Sequence, residues 1–284
     1  MTVRNFDERT VRSFGAEWAH FDQGRLAHET KTEARFNEYF GIFPWSTLPA
    51  AAVGADVGCG SGRWAALVAP RVGQLHCLDA SYEALDVARR NLAWAHNCTF
   101  HHASVDAMPV EPGSLDFCYS LGVLHHVPDP VAGIRSCVAL LKPGAPLLLY
   151  LYYALDDRPG WYRAIWRGAD LVRRIIARMP LRPKRLVTDV VALFAYWPLA
   201  RFAALVELLG GNPANLPLNW YRDKTFYTMR TNALDRFGTP IEHRFTRHEI
   251  ETMLREAGLT EIRFSDAQPF WCVVSRRGGP HSSV

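Results

Sequence analysis

Ala52-Val53-Gly54-Ala55-Asp56-Val57-Gly58-Cys59-Gly60-Ser61-Gly62-Arg63-Trp64 decides how the rest of the chain is read. A short apolar run closes on an acid, three glycines follow at every second position, and a helical pattern begins at Arg63. A strand that turns directly into a helix gathers backbone N–H groups and the positive helix end at one spot. Glycines suit that spot because a ligand then approaches the backbone without meeting Cβ atoms. The spacing excludes two nucleotide loops. Counting from Gly58 and Gly60, the third glycine of G-x-G-x-x-G would fall on Arg63, and no Gly-Lys-Ser/Thr completes a P-loop.

Working outward, apolar runs alternate with helical patterns. Residues 51–57, 74–79, 98–101, 115–120 and 146–153 read as strands one to five. Ser81 caps a helix whose Leu85, Ala88, Leu92 and Ala95 share a face, and Asp129-Pro130 opens another as N-cap and N1 proline. Thr246 and Glu249 form a capping box, and 260–265 and 270–275 read as a closing hairpin. Such alternation predicts right-handed βαβ units and a parallel sheet, with ligands at the carboxyl ends of the strands. Asp56, Asp79, Asp106 and Ser120 all fall at or just beyond strand ends, so the informative polar residues share one rim.

Three segments stand outside the alternation. Residues 1–50 form an arm with Phe14, Trp18 and Phe21 on one helical stripe and Phe36, Tyr39 and Phe40 on another. Thr30 and Glu33 have capping-box spacing. The arm is either a lid on the ligand site or an aromatic layer packed on the sheet. Residues 154–245 are a long insert, arginine-rich at first, then apolar over Val190–Ala200, then aromatic at Trp220, Tyr221, Phe226 and Tyr227. Arg201 ends the apolar run short of the ~20 residues that span a bilayer, which predicts a buried helix or a surface meeting an apolar partner. Residues 276–284 read as a flexible polar tail.

Composition narrows the function. The net charge of +4 over 284 residues makes no case for nucleic acid. The six cysteines show no C-x-x-C pair and read as reduced, buried residues. With a charged N-terminus and no apolar signal segment, the expectation is a cytoplasmic chain. The paired histidines 101/102 and 125/126 lack accompanying carboxylates at ligand spacing, so no metal site is expected.

Asp56-Val57-Gly58-Cys59-Gly60-Ser61-Gly62, Leu78-Asp79-Ala80-Ser81, Asp106-Ala107-Met108-Pro109, Leu115–Ser120 running into Gly122–Pro130, and Leu141-Lys142-Pro143-Gly144 stand in that order. Together they resemble the successive motifs of the class I S-adenosylmethionine-dependent methyltransferases. The resemblance covers roughly residues 50–150 and the last 40, and departs at Ala145, where a second glycine often stands. It implies an α/β fold with a seven-stranded, mostly parallel, doubly wound sheet whose last strand is antiparallel. A largely helical insert follows strand five. Residues 51–153 and 246–275 would bind S-adenosylmethionine, and 154–245 would cap the acceptor. Asp79 suits the ribose diol, Asp106 the adenine amino group with the Ala107 backbone beside it, and Ala80 the ring face. Gly58, Cys59 and Gly60 would meet the methionine end, and the Leu121 backbone would accept from its ammonium. Asp56 would order the turn, while Arg63 either pairs with the cofactor carboxylate or is an exposed helix arginine. His125 and His126 are the candidate bases, with capping or packing as the competing reading. Trp18, Trp220, Tyr221, Arg222 and Tyr227 are the candidate acceptor contacts. The implied activity is O-methylation of an aromatic or sugar-containing small molecule. Secondary readings are a lipid or lipid-linked acceptor with peripheral membrane contact, and a non-catalytic S-adenosylmethionine-binding protein.

Overall fold

A computed structural model describes residues 5–20, 30–155, 159–267, 269 and 271–279, with only the backbone of 16–20, 30–33 and 181. The side chain of Trp18, the residue Phe21 and the side chains of the Thr30/Glu33 pair therefore lie outside the described residues. The strands are β1 (Val53–Val57), β2 (Gln74–Asp79), β3 (Cys98–His102), β4 (Phe117–Leu121), β5 (Pro146–Tyr150), β6 (Leu259–Phe264) and β7 (Cys272–Arg277). They form one seven-stranded sheet in the order β3-β2-β1-β4-β5-β7-β6. β1 to β5 pair in parallel, and β7 runs antiparallel to both β5 and β6. The strand order reverses between β1 and β4, the position where sheets of this kind open a crevice at their carboxyl ends.

The helices are α1 (Glu8–His20), α2 (Thr30–Phe40), α3 (Ala65–Val68), α4 (Tyr82–Asn91), α5 (Pro130–Leu140), α6 (Gly160–Ile176), α7 (Leu181–Val191), α8 (Trp197–Leu208), α9 (Phe226–Gly238) and α10 (Arg247–Glu256). Alternate strand residues feed a core on each face of the sheet, as the two-residue period of a strand requires. Phe117, Tyr119 and Leu148 join Phe36, Phe40 and Trp64 on one side; Cys118, Leu147 and Leu149 join Ile134, Ile250 and Leu254 on the other. Phe36, Tyr39 and Phe40 of the arm thus pack on the sheet. The caps expected at Ser81, Asp129 and Thr246 are all formed, the last with its reciprocal Glu249 bond.

Several boundaries differ from the sequence reading. The helix after the glycine loop is one α turn followed by a 3-10 turn at Ala69–Arg71, because Pro70 has no N–H to continue it. The positive helix end expected at the loop is correspondingly weak. Leu115 bridges Leu141 outside β4, and β5 stops at Tyr150. Gly54, mid-strand in β1, is needed because a Cβ there would lie 2.1 Å from the Phe117 ring on the neighbouring strand.

The chain divides into two compact units, Met1–Ala154 with Ile241–Val284, and Leu155–Pro240. Residues 241–245, placed in the insert by the sequence, instead extend the sheet unit: Phe245 N–H donates to the Tyr152 carbonyl and Phe245 bridges Tyr153. The second unit has its own core of Ile176, Ala192, Tyr196, Ala200, Met229 and Phe237. Two buried cations close α9: Arg173 donates to the Thr239 carbonyl (2.9 Å) and Lys184 to that of Gly238 (2.8 Å). Cations belong at the carbonyl end of a helix. α7 runs into α8 through a π turn at Ala192–Tyr196, which accommodates Pro198 without ending the rod. The apolar run therefore does not stop at Arg201: Arg182–Leu208 is a 27-residue helix long and apolar enough to cross a membrane.

Candidate functional site

The site grows from the tips of β1, β2 and β4. Gly58 follows β1 with φ +82°, and a Cβ on it would lie 2.3 Å from the Val123 side chain after β4. Four of the loop N–H groups are already engaged. Gly58 and Cys59 both donate to the Leu78 carbonyl, Gly62 donates to that of Cys59, and Gly60 donates to Asp79 Oδ2 at 2.9 Å. A loop whose donors are spent inside the fold is no phosphate cradle.

Asp79 ends β2. Its Oδ1 accepts from Ser81 N–H at 2.8 Å and its Oδ2 from Gly60, so each oxygen keeps acceptor capacity for one more donor. Burial raises its pKa above the usual carboxylate value, opposed by those backbone bonds. Asp79 borders a cleft at the carboxyl ends of the strands, lined also by Gly58, Leu121 and the arm. Beyond Asp79 the wall is formed by Ala80, Ser81, Ser104, Val105 and Met108; Leu121 and Gly122 form the β4 side. Phe6, Thr10, Val11 and Phe14 of the arm close the far side. Asn5 clasps that arm down: its N–H donates to Asp106 Oδ2, its Nδ2 to the Asp129 carbonyl, and its Oδ1 accepts from Asp129 N–H.

The candidates separate by burial. Asp56 lies beneath the loop, 2 % exposed, accepting from the Tyr119 hydroxyl at 3.0 Å; burial pushes its pKa up to about 8. Cys59 belongs to the core below the loop. Arg63 is not an exposed helix arginine: its guanidinium covers the Trp64 ring at 4.4 Å, and burial pulls its pKa down to about 10. Asp106 and Ala107 do not line the cleft, whose wall there is Ser104, Val105 and Met108; Asp106 serves Asn5 instead. Trp220, Tyr221, Arg222 and Tyr227 belong to the second unit. There Tyr221 packs in the core, Trp220 carries Lys224 over its ring, and Arg222 pairs with Glu207.

The two histidines part company. His125 is fully buried, stacked on Tyr152 with ring centroids 3.7 Å apart, and neither ring nitrogen has a hydrogen-bond partner among the described residues. Burial holds its pKa well below the ordinary imidazole value, and His126, Arg244 and His243 add to that. His126 lines the cleft beside Phe14, ring centroids 4.9 Å apart. Its Nδ1 lies 2.7 Å from the Ile241 carbonyl, which only accepts. That contact places the proton on Nδ1 and leaves Nε2 as the basic nitrogen. Sequence reasoning missed Asn5, Phe6 and Thr10, which carry no motif, and Ser104, Val105, Met108 and Val123 as cleft walls. No group of three or more His, Cys, Asp or Glu that could hold a metal ion occurs among the described residues.

The chemistry of these groups suits a neutral or cationic nucleoside: a carboxylate for two hydroxyls, an apolar slot for a ring, and no free row of N–H groups for a phosphate. Residues 55–149 match the family model described as a methyltransferase domain. A "Ubiquinone biosynthesis O-methyltransferase" of Xanthomonas campestris pv. campestris is 35% identical over 133 residues, 46% of this chain and 54% of that protein. This chain thus spans about half the length of that relative. Human N-acetylserotonin methyltransferase, solved in complex with SAM, superposes with a TM-score of 0.54 at 16% identity, covering 94% of this chain and 57% of that one. A SAM-dependent methyltransferase from Thermotoga maritima gives 0.51 at 11% identity, covering 94% and 99%. These two likenesses speak for the fold.

Proposed function

We propose that this chain, whose residues 55–149 match the methyltransferase-domain model, is a class I S-adenosylmethionine-dependent enzyme that methylates a hydroxyl of a small aromatic acceptor. The observation that carries the reading is Asp79, a buried carboxylate on the cleft with acceptor capacity left on both oxygens. Those oxygens hold the ribose hydroxyls of S-adenosylmethionine. Ala80, Val105 and Met108 take the adenine, and the Gly58 turn with the Leu121 carbonyl takes the methionine end. Bound there, the cofactor would supply an electrophilic methyl group on a positive sulfur, with the neutral thioether as its leaving group.

The protein positions the reactants, excludes water and removes one proton. His126, whose ring lines the cleft with Nδ1 held by the Ile241 carbonyl, is the base in this reading. Phe14 and the clasped arm shield the cleft from solvent and offer a ring face to the acceptor. The printed names of the Xanthomonas relatives, ubiquinone biosynthesis O-methyltransferases, support an oxygen acceptor on a ring.

Titration calorimetry with S-adenosylmethionine and its demethylated product tests the cofactor. Binding should be measurable, and Asp79→Ala should weaken it by about 1.5–3 kcal/mol, the range for a hydrogen bond to a charged group. Unchanged affinity in the variant would remove the assignment. Transfer of a labelled methyl group to a panel of phenols and catechols separates an enzyme from a cofactor-binding protein without activity.

A further inference from the structure

The second unit carries an apolar surface that its own core leaves unused. In α6, Trp166, Ala169, Arg173 and Ile176 turn inward, while Trp161, Ile165, Leu171, Val172 and Ile175 stand 47–64% exposed on the other side. The α7–α8 rod repeats the pattern. Thr188, Ala192, Tyr196 and Ala200 face the core; Leu186, Val190, Phe194, Trp197, Leu205 and Leu208 face out, with Phe194 73% and Leu208 82% exposed. Soluble monomers rarely leave contiguous apolar patches of more than a few hundred Å² uncovered.

Charge accompanies this surface. Residues 159–208 hold nine Lys or Arg against three Asp or Glu, a net +6, whereas the whole chain carries +4 and the remainder is therefore −2. Arg163, Arg167, Arg174 and Arg178 recur at helical spacing along the exposed side of α6 and just beyond it. Tryptophans, which favour the boundary between acyl chains and water, stand at Trp161 and Trp197 within the apolar face.

We infer that the outer face of α6 and of the α7–α8 rod docks on an anionic lipid bilayer, lying in the plane of the headgroups. Arginines flanking an apolar face are the composition of an interfacial helix. A second copy of the chain is disfavoured as occupant, because two such faces would bring the exposed Arg163, Arg167, Arg174 and Arg178 of each copy together. A transmembrane path is disfavoured as well. The inner side of the rod is bound to α9 through Tyr196, Met229 and Ala233, the Lys184–Gly238 bond and the Asp189–Arg230 ion pair. Sheathing the rod in lipid would strand those polar groups.

Flotation of the full chain with vesicles tests this. The chain should float with vesicles of phosphatidylglycerol and phosphatidylcholine in equal parts, less with phosphatidylcholine alone, and less at high salt. Phe194→Ser with Leu208→Ser should weaken partitioning by about tenfold or more, and so should Arg163→Gln with Arg167→Gln and Arg174→Gln. A blue shift of tryptophan emission on adding vesicles should shrink in Trp161→Phe with Trp197→Phe. All these positions are exposed, so melting temperature and affinity for S-adenosylmethionine should stay at wild-type values. Failure to float, or flotation that the apolar and arginine variants leave unchanged, overturns the inference. So does a dimer that Phe194→Ser with Leu208→Ser dissociates, in a chain that binds no vesicles. Because cofactor affinity is read separately, a negative vesicle result leaves the methyltransferase reading standing.

Discussion

His125 and His126 are identical as letters and opposite in role. His126 lines the cleft with Nδ1 held by Ile241; if it is the base proposed above, His126→Gln should lower kcat by about 10²–10⁴ while cofactor affinity holds. His125 is a neutral ring in the core. Its folded pKa is depressed below 6.5, so its contribution to stability is complete above that value and is lost as pH falls below it. Denaturant midpoints measured from neutral to mildly acid pH should decline in the wild type, and His125→Phe, which keeps the stack on Tyr152, should lack that part of the decline. Asp56 has the opposite sign. Its folded pKa is raised to about 8 from 3.8, so the stability it contributes is full below 3.8 and drains away as pH rises to about 8. Asp56→Asn should therefore gain on the wild type across that interval, by at most about 1.4 kcal/mol per pH unit, and level off above it. An unvarying difference between the two proteins would show that Asp56 is ionised in the folded state.

Elements decide which ligand the cleft can take. The sequence reads the glycine loop as a ligand turn, but the N–H groups of Gly58, Cys59, Gly60 and Gly62 are engaged within the fold and the helix behind it is one α turn long. Inorganic pyrophosphate should accordingly fail to compete with S-adenosylmethionine in a titration; effective competition would mean that the loop opens its N–H groups to an anion. The arm splits between its two sequence readings. α2 buries Phe36 and Phe40 in the core, whereas α1 borders the cleft. That division was invisible in the sequence because both stripes are aromatic at helical spacing. Asn5, which shows no pattern, anchors α1 through three bonds to Asp106 and Asp129. Asn5→Ala removes the two side-chain bonds, each worth about 0.5–1.5 kcal/mol. The expected result is severalfold weaker cofactor binding with an unchanged melting temperature, checked by calorimetry and circular dichroism.

At the scale of the whole molecule, two units carry separate cores. Lys184, whose pKa burial lowers, ties α7 to the end of α9 through the Gly238 carbonyl. Lys184→Ala should cost about 1–3 kcal/mol, and hydrogen exchange should quicken in 181–208 and 226–238 while β1, β4 and β5 keep their protection. Equal quickening in the sheet would show that the units unfold together. The sequence by itself determined the strands and their alternation with helices, because a two-residue strand period, Gly-loop chemistry and N-caps at Ser81, Asp129 and Thr246 are local. It also placed Asp79 at the tip of β2, where the cleft opens, since that position follows from the strand pattern alone. Only the tertiary structure decided which histidine meets the cleft, that Asp106 answers Asn5, that Arg63 is covered, and that the apolar run continues through Pro198 as one exposed rod. Those outcomes depend on burial, and burial is set by contacts between residues far apart in the chain.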